Sequence, residues 1–490
     1  MKKIFKIRFI LLFIALTAQF SCSDYLELLP PSGLVREEFW KTKEDVEAVL
    51  MGTYLQFASM NGALFTYGEA RGDMVRDDWS LGSNERNLMQ SNIYPKNGIC
   101  NWNNFYVVIN YCNDVIKNAP EVQKIDNTFT EFQLKGFLAE AYFLRSLSYF
   151  YLVRLFKDVP LVLEPSESDN SDFYLPLTKG EDVLQAMLKD LNEYRPFATD
   201  GYKTMDEVKG RATKASYDAL LADISLWNFD YEKCIEYSNR IISNKNFVLM
   251  PSARWFELYY PGNSLESIFE FQFNDKYDQP NALYDMTNRD AHKYLPSQRA
   301  IELFARKYTA ELVRGEDLSI TKLSEDNYII WKYAGYAPDG KTTRPGSVQK
   351  SCNLIVYRLA DIYLMKAEAL SQLNRFNEAL DILNTIRERA AVSPLALGNS
   401  ATAFEDAIMD ERALELAFEG KRWFDLLRMG RRNNYSRKEK LVELIISNVP
   451  STQKRILAAK LTNPLGWYLP IYKDEIERNK NLVQNPYYIF

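Results

Sequence analysis

A single histidine, His292, serves the whole chain of 490 residues. That scarcity excludes a His-rich metal site and an HExxH protease, and it leaves room for only one Ser-His or Cys-His couple. His292 lies beside Asp290 and Lys293 in a polar stretch, and we assign it no catalytic role. The five cysteines, Cys22, Cys100, Cys112, Cys234 and Cys352, are scattered without a CxxC, which excludes a zinc ribbon and a thioredoxin-type redox pair. The four in the body do not make a disulfide framework. Neither GxGxxG, GxxxxGK[ST] nor GxSxG occurs, so an enzyme built on this sequence would have to work with carboxylates alone. No apolar run reaches the ~20 residues that cross a bilayer. Basic charge is short as well: 60 Lys and Arg against 65 Asp and Glu give a net charge of −5, which excludes the basic footprint of a nucleic-acid binder.

What the chain does have is apolar and aromatic mass, 47% and 14% of residues, enough to bury a large core and to rule out disorder. Its length alone suggests two or three domains. At the N-terminus, Lys2, Lys3, Lys6 and Arg8 precede an apolar run from Phe9 to Ala18, and small Ser21 stands just before Cys22. This is the anatomy of a secretory signal peptide. A cysteine at the first mature position resembles a bacterial lipoprotein signal, although Gln19 and Phe20 replace the usual Leu and small residue. The expectation is a leader over 1–21 and a diacylated Cys22. Each buried lipid methylene contributes ~0.8 kcal/mol, so two or more chains anchor a protein stably. An ordinary signal peptide with an incidental cysteine is the alternative. Asp24, Glu27 and the Pro30-Pro31 pair make 22–40 an extended tether to a body over 41–490, and loss of the four leader cations leaves a net charge of −9.

Helical periodicity dominates the body. Apolar residues recur at three- and four-residue steps over 45–57, 102–116, 132–156, 182–194, 213–227, 231–242, 299–308, 354–373, 376–390 and 403–428. Strand-like pieces are short, at 267–273 and 328–331, so the fold class is mostly α. Two helix pairs repeat: shifting the segment that starts at Ala215 by 145 residues lays Ala222 on Ala367, Tyr231 on Phe376 and Asn239 on Asn384. Small residues at the helix crossing, an aromatic early in the second helix and a short Asn-containing turn are the tetratricopeptide pattern. Residues 102–156 offer a third, looser pair beside those at 213–242 and 354–390. Long insertions separate them, so the remainder, including 255–350, reads as loops or a second lobe.

Six stretches, in order, then carry a resemblance. "GFLAEAYFLRSLSYFYLVRLFKDVPLVLEP" from Gly136, "GRATKASYDALLADISLW", "SIFEFQFN", "YRLADIYLMKAEAL", "ERALELAFEGKRWFDLLRMGR" and "WYLPIYKDEIERNKNLVQNPYY" resemble the blocks of the SusD/RagB family across essentially the whole chain. Lys421 stands where a His is frequent, and Tyr487-Tyr488 replaces Gly-Tyr. The resemblance implies about four tetratricopeptide-like pairs with a loop-rich lobe. It also implies a lipid-anchored, surface-exposed outer-membrane protein that is not an enzyme. Such a protein binds an oligomeric nutrient, a glycan first and a peptide in some relatives, and passes it to a TonB-dependent transporter of the SusC type. No cofactor is implied.

Glu411, Glu415 and Glu419 recur every four residues among Arg412, Arg422, Asp425 and Arg428, which suggests a helix-stabilising ion network rather than an acid/base pair. Tyr142, Tyr149 and Tyr151, in a helix apolar nearly all round, read as core. A sugar needs rings to stack on and polar groups for its hydroxyls, and loops on a rigid scaffold supply both. One candidate segment carries Asp73, Arg76, Asp77, Asp78, Trp79 and Tyr94; a second carries Tyr277, Asn281, Tyr284 and Arg289. Trp331, Tyr333 and Tyr336 form a weaker third. The alternative for each aromatic is that it packs its own loop. Asp73, Asp77 and Asp78 have a Ca²⁺ site as an alternative, although their spacing fits no EF-hand, and an acid pair from 69–78 would serve a carboxylate-only glycosidase.

Overall fold

The computed structural model describes residues 39–166 and 173–489; the leader and Cys22 lie outside them. Local chemistry starts the helices where the periodicity begins. Helix α1 (Lys43–Ala58) opens on a box in which Thr42 and Asp45 satisfy each other's backbone N–H. Asn61–Glu69 is α2 and Ser83–Met89 is α3, before the long pair α4 (Asn103–Ile125) and α5 (Glu131–Phe156). A Thr130/Gln133 box starts α5, and every residue from Phe143 to Phe156 is buried, so this helix is the axis of the molecule.

The array continues through α6 (Gly180–Tyr194), α7 (Lys214–Trp227), α8 (Tyr231–Ile242), α9 (Ala282–Thr287), α10 (Leu359–Gln372) and α11 (Phe376–Arg389). Packing runs from α1 to α4, α5 and α6, then from α7 to α8, α10 and α11, each burying its apolar stripe on the next. The two pairs expected to repeat do so in detail. Phe229 and Asn374, 145 residues apart, both turn the chain in the left-handed region, at φ 63° and 59°. Ala222 and Ala367 are fully buried where the helices approach. A further pair, α12 (Ala401–Glu415) and α13 (Arg422–Tyr435), completes a mostly helical, tetratricopeptide-like scaffold.

Strands are few. β1 (Val75–Asp77) pairs with β3 (Tyr294–Pro296), β2 (Ser267–Phe271) with β6 (Leu354–Arg358), and β4 (Ile320–Lys322) with β5 (Tyr328–Ile330), all antiparallel. The β2–β6 ribbon is fused to the helices by aromatic contacts: Phe271 stacks on Phe57 and Phe269 meets Phe143 edge-on, each with ring centroids 5.0 Å apart.

The expected helix over 354–373 is therefore two elements, β6 and α10. Leu354–Tyr357 is a short all-apolar run, which periodicity alone cannot separate from buried helix. The expected helix over 403–428 also breaks, between Glu415 and Arg422. Phe418 and Gly420 take φ of 64° and 73°, outside right-handed helix. Their turn passes so close under α2 that a Cβ on Gly68 would lie 1.8 Å from the Gly420 carbonyl oxygen. The helix expected over 299–308 is shorter, Gln298–Phe304.

The charged block is structural, but its ties run mainly between elements. Glu415 accepts from Arg358 at 2.6 Å, from Arg314 at 3.2 Å and from Arg389. Glu419 holds Arg358 and Lys332; Glu368 holds Arg428 and Arg432. Asp425 with Arg428 at 2.9 Å is an i,i+3 tie of the expected kind. Burial opposes ionisation of Glu415, but Arg389, Arg358 and Arg314 outweigh it and hold its carboxyl well below the usual range. Tyr149 and Tyr151 are core, and Tyr142 stacks on Tyr194 with centroids 4.0 Å apart. Cys100, Cys112, Cys234 and Cys352 are all free and buried.

Candidate functional site

Pairing of β1 with β3 brings the two candidate segments together. Asp77 faces Tyr294 across the ladder, the Asp78 N–H donates to Lys293 O at 3.0 Å, and Ser80 Oγ donates to His292 O at 2.5 Å. Beside this seam lies a cleft of about 600 Å³, walled by Gly62, Ala63, Thr66 and Tyr67 of α2 and by the start of α4. Its polar groups are Asn84, Glu85, Asn101, Asn103, Asn104, Asp285 and Lys293, and the buried side chains of Leu81 and Tyr294 border it. Amides flanked by a few charges, with apolar patches between, suit a hydroxyl-rich ligand.

Trp79 is two residues from Leu81 on the loop that enters the cleft, and it is 86% exposed. Arg86 pins that loop. Its guanidinium binds Asp77 at 2.5 Å and donates to the carbonyls of Asp78 (3.0 Å), Trp79 (3.4 Å) and Leu81 (3.2 Å). The indole therefore projects from a turn whose backbone is clamped. Tyr94, 43% exposed, begins the turn that carries Gly98 and Ile99 of the cleft wall.

Other candidates have inward partners. Asp73 is fully buried, gripped by Arg422 at 2.5 and 2.8 Å and by Arg299 at 2.9 Å, so it ties α13 to the β1 segment and is closed to a ligand. This arrangement also separates Asp73 from Asp77 and Asp78 as cation ligands; among the described residues no cluster of three His, Cys, Asp or Glu is placed to hold a metal. Asp78 is half-buried, 4.0 Å from His292 Nε2. Asn281 is buried too: its Oδ1 caps the Leu283 N–H and its Nδ2 donates to Cys352 O. Tyr284 is 9% exposed. Arg289 donates to Lys322 O at 3.0 Å and to Gly340 O, with its guanidinium over Trp331. Trp331 and Tyr333 are core, whereas Tyr336 is half exposed and meets Tyr260 edge-on.

Tyr277, 77% exposed, lines a different cavity of about 460 Å³ with Asn263, Gln272, Asn274 and Gln279. The cleft residues Asn84, Asn101, Asn103 and Asn104 were not singled out from sequence. The signal for the last three was the run "NWNN", which reads first as a helix start, and a helix start it is: Asn101 Oδ1 accepts the Asn103 N–H at 2.8 Å.

Of the acids of 69–78, Glu69 and Asp73 are closed to solvent, while Asp77 and Asp78 are only partly buried. Glu69 is fully buried, its Oε1 accepting the N–H groups of Gly420 (2.8 Å) and Lys421 (3.2 Å). Burial pushes its carboxyl up to about 8, against the pull of those N–H groups.

Known proteins share this architecture. Residues 24–226 match a family described as starch-binding and associating with the outer membrane. A SusD-like protein of Formosa agariphila is 27% identical over 85% of this chain and 90% of its own, and a second from that organism is 27% identical over 99% of both. A SusD superfamily crystal structure from Bacteroides thetaiotaomicron superposes with a TM-score of 0.74 at 24% identity, over 92% of this chain and 99% of that one. A laminarin-binding SusD-like protein superposes at 0.72 and 22%, over 91% and 99%. Residues 225–488 match the family described as SusD, and the chain belongs to the SusD/RagB family.

Proposed function

We propose that the protein is a non-enzymatic, lipid-anchored surface receptor that captures an oligomeric glycan in the α2–α4 cleft. It passes the glycan to a SusC-type TonB-dependent transporter, on which it sits as a lid. Residues 1–21 are its leader and 22–40 its tether, lipidated at Cys22. The observation that carries the reading is Trp79, an exposed ring on a turn whose backbone Arg86 clamps, beside an amide-lined cleft. The laminarin-binding neighbour and the starch-binding family description favour a glycan as cargo. Glu69 and Asp73, sealed from solvent, argue against a glycosidase working from this loop. Cargo shared between receptor and barrel shifts the lid toward closure only by its differential affinity for the closed state.

Calorimetry of the purified protein with laminarin and starch oligosaccharides, together with a reducing-end assay, tests this. Binding without cleavage is expected, weakened strongly in Trp79→Ala. Release of reducing ends, or Trp79→Ala binding like the parent, overturns it. Outer membranes in which Cys22→Ser stays attached, or from which no barrel protein co-purifies, overturn the anchor and the lid respectively. Peptide cargo is the second reading, favoured by Glu85, Asp285 and Lys293 at the same cleft.

A further inference from the structure

A second cleft, of about 610 Å³, shares no residue with the first. The opening turn of α7, the end of α8 and parts of segments 195–213 and 244–247 wall it. On a chain of net charge −5 its lining carries five cations, Arg195, Lys209, Lys214, Arg240 and Lys245, against two carboxylates, Asp200 and Asp218. Asp218 is shared: Arg195 binds it through two bonds of 2.6 Å and Arg240 through one of 3.2 Å. Lys214 holds Asp200 at 2.7 Å, and Arg240 also reaches Glu236 at 2.6 Å. Lys209 and Lys245 form no ion pair among the described residues.

Lys209 is the informative one. It is 3% exposed, yet among the described residues its Nζ makes one hydrogen bond, to Ser267 O at 2.6 Å, and otherwise rests over the Phe247 ring at 4.5 Å. An ammonium carries three donors, so its hydrogen-bonding capacity is underused in a place where an unpaired charge is costly. Burial holds this ammonium down to about 8; Glu270, which pulls it upward, is itself pushed toward its neutral form by burial. A second unspent donor lies in the same cleft. In the first turn of the 14-residue helix α7, Thr213 Oγ1 caps the Ser216 N–H and Thr199 O takes that of Lys214, while the Ala215 N–H has no partner among the described residues. A helix N-terminus favours negative charge. The volume lies within the roughly 300–1,000 Å³ of organic-ligand sites and is far more than a bare ion fills.

We propose that this cleft binds the oxyanion group, carboxylate or sulfate, of an acidic oligosaccharide, with Lys209 and the Ala215 N–H at its floor and Arg240 and Lys245 at its mouth. The site is independent of the first cleft, so the protein has two sugar-binding surfaces of different charge preference.

Calorimetry on the full-length protein with digalacturonate, a sulfated disaccharide, their neutral counterparts and inorganic sulfate tests the assignment. Acidic sugars are expected to bind at least about tenfold tighter than neutral ones, with affinity falling as salt rises. Lys245→Gln, on the surface, is expected to weaken them several-fold without shifting the melting temperature, Lys209→Met to abolish binding, and Trp79→Ala to leave it unchanged. Equal affinity for acidic and neutral sugars, or acidic-sugar affinity untouched by Lys245→Gln, overturns the proposal. Inorganic sulfate binding as tightly as the sulfated disaccharide reduces the cleft to a free-anion site and overturns the sugar assignment. Failure of Trp79→Ala to weaken neutral-glycan binding would fall on the first cleft alone.

Discussion

Glu69 offers the most direct test of how the cleft wall is built. It ends α2, whose Gly62, Ala63, Thr66 and Tyr67 line the cleft, and it fastens that helix to the turn at Gly420 through two backbone N–H groups. Its other oxygen, Oε2, has no hydrogen-bond partner among the described residues. Because burial raises the folded acid from an ordinary 4.5 to about 8, the folded protein holds this proton where the unfolded chain has released it. Folding then takes up a proton between those two values, so this group's stabilising effect is complete below about 4.5 and is lost as pH rises to about 8. At about 1.4 kcal/mol per unit, the full effect is about 5 kcal/mol at most.

Glu69→Gln keeps the accepting oxygen and has no proton to lose. Urea denaturation of both proteins is expected to give similar stabilities near pH ~5 and a variant several kcal/mol more stable near pH ~9. Taking the difference between the two proteins cancels other titrations. Glu368 is an example: burial opposes its ionisation, yet Arg428 and Arg432 draw it down to about 2, so its contribution is present above the ordinary carboxylate value and is lost only as pH falls toward 2. A stability difference that stays flat across this window, or a variant that is the weaker one at the alkaline end, refutes the reasoning.

Other perturbations follow from the same contacts. Glu415→Ala takes one buried carboxylate partner from each of Arg314, Arg358 and Arg389 and is expected to cost about 3–5 kcal/mol in urea denaturation. Gly68→Ala would place a methyl 1.8 Å from the Gly420 carbonyl oxygen, displacing the turn; a loss of about 1–3 kcal/mol, read as a lowered melting temperature, is expected. Arg86→Ala removes the clamp on Asp78, Trp79 and Leu81 and is expected to weaken glycan binding about tenfold in calorimetry while leaving the fold intact.

Much of the scaffold was legible because helix pairing is a local matter. The shift of 145 residues that aligns Ala222 with Ala367 also aligns the left-handed turns at Phe229 and Asn374, and nothing distant is needed to form either. β6 was not legible, because its strand character comes from β2, more than eighty residues earlier, and an isolated apolar pentamer carries no period of its own. The charge block shows the same division from the other side. Its spacing marked it as structural, but spacing counts only neighbours on one helix. Glu415 chose Arg314, Arg358 and Arg389, three partners from outside its own helix.

The candidate site divides on that principle as well. Asp73 and Asp77 look alike in sequence, four residues apart in one acidic loop, yet Asp73 is sealed by Arg422, 349 residues away, while Asp77 is bound by Arg86, nine away. A residue whose partner is local keeps its loop at the surface, and one whose partner is distant is drawn into the core. Trp79 stays exposed on a turn whose clamp is local, whereas Asn281 is buried because the Cys352 carbonyl to which its amide donates lies 71 residues on. The same logic explains why Lys209 escaped notice. Its one hydrogen-bond acceptor among the described residues, Ser267 O, is a backbone atom on a strand, so no carboxylate spacing announced it, and its burial beside an open cleft shows an ammonium without an ion-paired carboxylate among those residues.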